Sequence, residues 1–292
     1  MAVTTNGTTE INYEVFGDDG PTLLLVNGLG SQMISFFPEF CDVFVERGYQ
    51  VIRFDNRDVG LSSKTQGAPP VIGEMVKARA EGRPVEAPYS LSDMAADGMA
   101  VLDATGVSQA HIWGMSMGGM IVQQMAADHP DRVLSMTSVM SSTGDPKVGR
   151  ASPEAMAVIT DVPPPERDAA IEHHLRGRRV TGGSLYDEQD VRRLVGEAFD
   201  RCNYPIGFAF QIAAVTASGN RTTMLNKLDL PTMVTHGLLD PLIDLSGGAA
   251  TADAISGAEL VVYDEMGHDI PRPLWISYAD DLDRLVERSH AS

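Results

Sequence analysis

Cysteine is nearly absent from this chain of 292 residues: Cys41 and Cys202 are the only two, without C-x-x-C or zinc-type spacing. That excludes a disulfide-stapled fold, and both thiols are expected to be reduced and in the core. Long apolar runs are missing too. Residues 23–26 form one of the longest, far too short to span a bilayer. The opening MAVTTNGTTE has neither the basic nor the apolar region of a secretion signal. Positive charge is scarce: 22 Lys and Arg against 40 Asp and Glu leave a net charge of −18. With so little cationic surface to neutralise phosphates, nucleic acid is excluded as a partner. The expectation is a cytoplasmic protein with no membrane span.

What is present is ordinary globular composition, 43% hydrophobic and 21% charged. The length suits one domain, or one domain with an inserted lid. Alternation predicts a hairpin of strands 2–5 and 11–16 about Asn6-Gly7. An unbroken apolar run predicts a buried parallel strand at 22–26, and further strands are expected at 50–54, 111–113, 133–139, 232–235 and 259–263. Helical spacing predicts helices at 37–47, 71–80, 91–104 (capped by Ser90), 117–127, 247–255 and 275–288. Such alternation builds a mostly parallel central sheet with helices on both faces.

Residues 143–228 interrupt the alternation. They read as helices at 153–159, 166–176, 188–201 and 205–217, punctuated by Pro163-Pro164-Pro165. They also hold eleven acidic and eleven basic side chains, so the whole −18 lies on the remainder. The expected organisation is a core of 1–142 and 229–292, with a helical lid at 143–228 inserted after the fifth parallel-type unit.

Chemistry is concentrated where strand 111–113 meets the next helix. Gly114-Met115-Ser116-Met117-Gly118 is a G-x-S-x-G nucleophile elbow. A serine forced onto a sharp strand-to-helix turn has a strained backbone, and side chains two positions away would collide with neighbouring strands. The turn exposes Oγ at a helix N-terminus, where backbone N–H groups favour developing negative charge. The pattern is weak alone, and its partners strengthen it. Serine needs an imidazole to take its proton, and the imidazole needs a carboxylate to fix its tautomer. In a parallel sheet such groups gather beyond the C-terminal strand ends. Asp240 follows strand 232–235 and His268 follows strand 259–263. Ser116, Asp240 and His268 in that order are therefore the candidate catalytic triad. Leu29 N–H, in the loop after strand 22–26, and Met117 N–H are the expected oxyanion donors. Asp244 is the reserve acid, Asp269 a structural neighbour, His111 and His236 supporting side chains, and His173 and His174 solvated. No H-E-x-x-H or similar ligand set appears, so no metal and no cofactor are expected.

The segments LLLVNGLGSQM, VIRFDNRDVGLSS, GMSMGGM, HGLLDPLI and EMGHDIP resemble α/β-hydrolase-fold serine hydrolases along nearly the whole chain. They are similar to an esterase-like bacterial branch, the aclacinomycin methylesterases. The resemblance implies an α/β-hydrolase fold with an inserted helical lid, and Ser116, Asp240 and His268 as nucleophile, acid and base. It also implies Leu29 and Met117 as oxyanion donors and a small-molecule ester as substrate. Asn27 departs from the pattern, because many relatives carry His before the Gly. Met156, Ile159, Phe199, Tyr204, Phe208 and Phe210 are candidates for an apolar pocket, although most of them are expected simply to pack the lid. Carbon–carbon bond hydrolysis, lactonase or perhydrolase chemistry stays open on the same triad. A cofactor-free oxygenase or a non-catalytic binding protein is the alternative of another class.

Overall fold

The computed structural model describes residues 1–290. Its strands are β1 (Ala2–Asn6), β2 (Thr9–Phe16), β3 (Thr22–Val26), β4 (Gln50–Phe54), β5 (Ala110–Met115), β6 (Val133–Val139), β7 (Thr232–Gly237) and β8 (Glu259–Tyr263). They form one sheet in the order β1-β2-β4-β3-β5-β6-β7-β8. β1 and β2 pair antiparallel, as do β2 and β4; every other pairing is parallel. The α-helices are α1 (Pro38–Val45), α2 (Ile72–Ala80), α3 (Leu91–Ala104), α4 (Met117–Asp128), α5 (Pro153–Thr160), α6 (Arg167–Thr181), α7 (Glu188–Arg201), α8 (Gly207–Ser218), α9 (Thr222–Leu225), α10 (Leu245–Ala254) and α11 (Trp275–His290). None is long and apolar enough to cross a membrane.

The central strand β3 is buried along its whole length because both faces of the sheet are covered there. Along β3, Leu24 and Val26 face one core layer with Ile112 and residues of α3 and α4. Leu23 and Leu25 face the other, with Trp113, Phe40 and Phe44 of α1 and Tyr278 and Leu282 of α11. Period-two alternation thus splits one apolar run between two layers.

The chain begins its parallel part at β3, moves out to β4, then crosses back to β5 on the other side of β3. That reversal is a topological switch point, where the loops after the two diverging strands leave a crevice between them. The loop after β3 and the turn after β5 are those two segments.

Several expectations shift. The hairpin turn is Gly7-Thr8, one residue later than Asn6-Gly7, because Asn6 pairs with Thr9 inside the ladder. The inserted helices follow β6, the fourth parallel strand rather than the fifth, since β2 joins the sheet antiparallel to β4. α6 runs to Thr181, five residues past its expected end at 176. Gly177, inside the helix, gives α5 room: a Cβ there would lie 2.8 Å from Val158 Cγ1. α10 starts at Leu245, two residues early, capped by Asp244 whose side chain accepts from Ser246 N. β7 continues through His236 and Gly237.

Candidate active site

Ser116 is held at φ 55° and ψ −118°, between the end of β5 and the first turn of α4. Positive φ costs a residue with a Cβ, and the surroundings impose it. Ser116 N donates to Val139 O at 2.8 Å, which pins the corner to the end of β6. The flanking glycines are required by contact. A Cβ on Gly114 would overlap the Gly118 carbonyl, and one on Gly118 would overlap Val26 O.

The partners arrive from the last two parallel strands. Ser116 Oγ lies 3.0 Å from His268 Nε2 and donates its proton there, while His268 Nδ1–H donates to Asp240 Oδ2 at 2.7 Å. Asp240 Oδ1 is engaged separately, accepting from Leu242 N at 2.8 Å and Ile243 N at 2.9 Å. One carboxylate oxygen is thus anchored to backbone and the other is left for the imidazole. Asp240 and His268 are 5% and 6% exposed, so this relay runs in a medium poorer than water at screening charge. The structure brings together all three residues that the sequence singled out.

The β3 loop closes on the elbow. A Cβ on Gly28 would stand 3.3 Å from both Met115 O and Ser116 Cβ. Leu29 N and Met117 N donate to no protein acceptor among the described residues, while Gly30 N and Ser31 N beside them are bonded. Two backbone donors therefore stay available next to Ser116, the requirement for holding a developing oxyanion.

The remaining candidates separate. Asp244 is a helix cap that also accepts from Arg150 N at 3.0 Å, so it is not a second acid for His268. Asp269 lies 3.9 Å from Arg178. His111 is buried against Ser135 Oγ at 2.8 Å. His236 is fully buried; its Nε2 donates to Ile243 O at 2.8 Å and stands 3.6 Å from Asp240 Oδ2. Burial lowers its pKa, so it stays a neutral neighbour of the acid. His173 is not solvated: it is buried and bonded to Asp161 at 2.9 Å, whereas His174 is exposed. Of the apolar lid candidates, Phe210 packs into the main core and Met156 faces solvent. Phe208 stands against Gly30, 3.5 Å from where a Cβ would be. Cys41 is a core thiol pushed up to about 12 by burial, while Cys202 is half-buried at the end of α7.

Sequence reasoning missed how the inserted helices seize these loops. His268 N donates to Thr181 O at 2.6 Å, and Arg178 Nη1 donates to His268 O at 2.9 Å, so α6 holds both backbone groups of His268. On the other side, α7 sends Arg201 to the fully buried Asp55 at 2.7 Å. Asp55 also accepts from Met33 N at 2.7 Å and Leu61 N at 2.9 Å. Gln211 of α8 bonds Gly30 N. No local signal marks α6 for this role. Gln211 does carry one, since a lone amide inside the apolar run GFAFQIAAVTAS needs buried partners.

A serine on a strained elbow, a buried acid–base relay and two free amides at a parallel-sheet edge define the α/β hydrolases as a class. Residues 21–168, about half of the chain, match the alpha/beta hydrolase fold family, and the chain belongs to it. It is similar to rhodomycin D methylesterase of Streptomyces peucetius, 27% identical over 294 residues that cover 91% of each chain. It is also similar to a 2-hydroxy-6-oxononadienedioate/2-hydroxy-6-oxononatrienedioate hydrolase of Pseudomonas sp., 25% identical and covering 96% of this chain and 91% of that protein. The solved structure of an esterase from Rhodococcus sp. superposes with a TM-score of 0.75 at 20% identity, covering 98% of this chain and 97% of that one.

Proposed function

We propose that this protein is a serine hydrolase that cleaves carboxylic esters through an acyl-enzyme on Ser116. One observation carries the reading: the unbroken path from Ser116 Oγ through His268 to Asp240, at 3.0 and 2.7 Å. Ser116 Oγ attacks the ester carbonyl as His268 Nε2 takes its proton, and Asp240 stabilises the imidazolium through Nδ1–H. The carbonyl oxygen becomes an oxyanion on Leu29 N–H and Met117 N–H. Collapse of this intermediate breaks the bond to the alkoxy oxygen, which receives the proton from Nε2 and leaves as the alcohol. Water, deprotonated by His268, then attacks the acyl-enzyme, and the carboxylic acid departs with Oγ reprotonated.

Residues 143–228 form the cap in this reading, over a body of 1–142 and 229–292. The body carries the whole net charge of −18, which repels anions and favours neutral, apolar small-molecule esters. A cytoplasmic setting belongs to the same proposal, supported by two free thiols. Carbon–carbon bond hydrolysis on the same triad is the second reading, favoured by the likeness to the Pseudomonas hydrolase.

The test is turnover of acetate, butyrate, octanoate and aryl methyl esters beside a dienoic ketone. Ester hydrolysis is expected to fall about 10⁴-fold or more in Ser116→Ala, which keeps its circular dichroism spectrum. Hydrolysis of the ketone with none of the esters would move the assignment to the second reading. Ester turnover that survives Ser116→Ala would end the mechanism. For the charge preference, a carboxylate-bearing ester should show lower kcat/KM than its methyl-ester analogue.

A further inference from the structure

Gln211 is a buried amide with its two ends on two different loops. It has no exposed surface, so each polar atom must be bonded or lose its hydration uncompensated. Oε1 accepts from Gly30 N at 2.8 Å, and Nε2 donates to Arg57 O at 2.8 Å. Gly30 directly follows Leu29 in the loop that closes on the elbow. That loop turns at Leu29-Gly30, with Ser31 N donating to Gly28 O at 3.2 Å and Gly30 at φ +69°, a conformation closed locally by this one internal bond. Bonds from outside the loop add to that one. Asn56 Nδ2 donates to Asn27 O at 3.0 Å, Asp55 takes Met33 N, and Gln211 braces the middle.

We propose that Gln211 is a positioning residue for the oxyanion loop, and through it the inserted helices set the rate of the chemical step. This rests on the serine-hydrolase reading above. Bracing Gly30 against Arg57 fixes the Leu29–Gly30 peptide, and with it the neighbouring Leu29 N–H. An oxyanion donor works because it is already oriented when charge develops; a loop that must order during the reaction gives back what the donor supplies. The effect falls on every substrate alike, because it acts on the carbonyl oxygen that all of them share. Helices that would ordinarily be assigned substrate choice thus also tune the transition state.

Gln211→Met keeps length and burial but removes both bonds. We expect kcat to fall about 10- to 100-fold on acetate and butyrate esters alike, with KM changed less than about threefold. Affinity for a boronic acid, whose tetrahedral adduct on Ser116 uses the same donors, should fall by the same factor. Affinity for the product carboxylate should hold. If Gln211→Met does not fold, Gln211→Asn, too short to span both loops, carries the same expectation. A kcat within about twofold of the parent overturns the inference, as does a rise confined to KM, or a kcat loss that leaves boronate affinity intact. A parent protein without Ser116-dependent ester turnover overturns the reading beneath it instead, so the two failures are distinct.

Discussion

The sheet and the helices inserted after β6 are held together in different ways. The sheet lies between two apolar layers, one under α3 and α4, the other under α1 and α11. α6 and α7 share only a small apolar cluster of Ile171, Leu175 and Val191, with Tyr186 and Val195 against it. Around it run exposed ion pairs: Arg167–Asp200 at 2.7 Å, Arg179–Glu188 at 2.6 Å, Arg192–Glu172 at 2.8 Å and Arg193–Glu197 at 3.0 Å. Exposed pairs of this kind add little stability. α8 adds Phe210 and Ala214 to the main core, whereas α6 and α7 are tied to the rest mainly where they dock: Arg201 on Asp55, and Arg178 and Thr181 on His268. Loosening that docking is expected to disturb the loops around Asp55 and His268 before it disturbs the sheet.

The difference can be broken at the docking points. The largest effect is expected at Asp55, where Asp55→Ala leaves Arg201 without its carboxylate, with only Gln32 and Asn12 to bond, and two backbone N–H groups without their acceptor. Breaking such a buried pair costs about 3–5 kcal/mol, to be read as a lower urea midpoint at an unchanged slope. An unchanged midpoint would mean that α7 is not held through this pair.

Arg178→Met should separate activity from stability. It frees the His268 carbonyl while the sheet keeps its core, so kcat is expected to fall about tenfold through misplacement of the imidazole, with little change in the melting temperature. A melting-temperature loss without a kcat loss would reverse the assignment.

The smallest effect is a pH dependence from the sheet side. Burial lowers the pKa of His236, among Asp240, His268 and Asp244. The unfolded imidazole takes up its proton near the ordinary value of about 6.5, the native one only in stronger acid. Stability linked to His236 is therefore present above pH 6.5 and is lost as pH falls toward the lowered native value. Urea midpoints from pH 7.5 down to 5 should drop less steeply in His236→Gln than in the parent, as about one proton fewer is linked to unfolding. Equal slopes would remove His236 from the account.

That Ser116, Asp240 and His268 come together is legible in the chain because each follows a strand of the parallel sheet, Ser116 between its flanking glycines, Asp240 after β7 and His268 after β8. Chain order did the rest. The docking was not legible, since Arg178 and His268 are ninety residues apart and nothing near either one names the other. α6 continues past the expected end at 176 because Gly177 is tolerated inside a helix where α5 packs close, its Val158 Cγ1 only 2.8 Å from where a Cβ would stand. Which of the apolar side chains on α8 meets the core is not legible either: nothing local separates Phe210, which is in the main core, from Phe208 beside Gly30.

One measurement bears most directly on the central claim, that Ser116 is an activated nucleophile. Intact-mass analysis after treatment with a fluorophosphonate should show a single adduct, mapped by peptide digestion to Ser116 and lost in Ser116→Ala and in heat-unfolded protein. Folded protein that stays unlabelled at Ser116 would contradict the account.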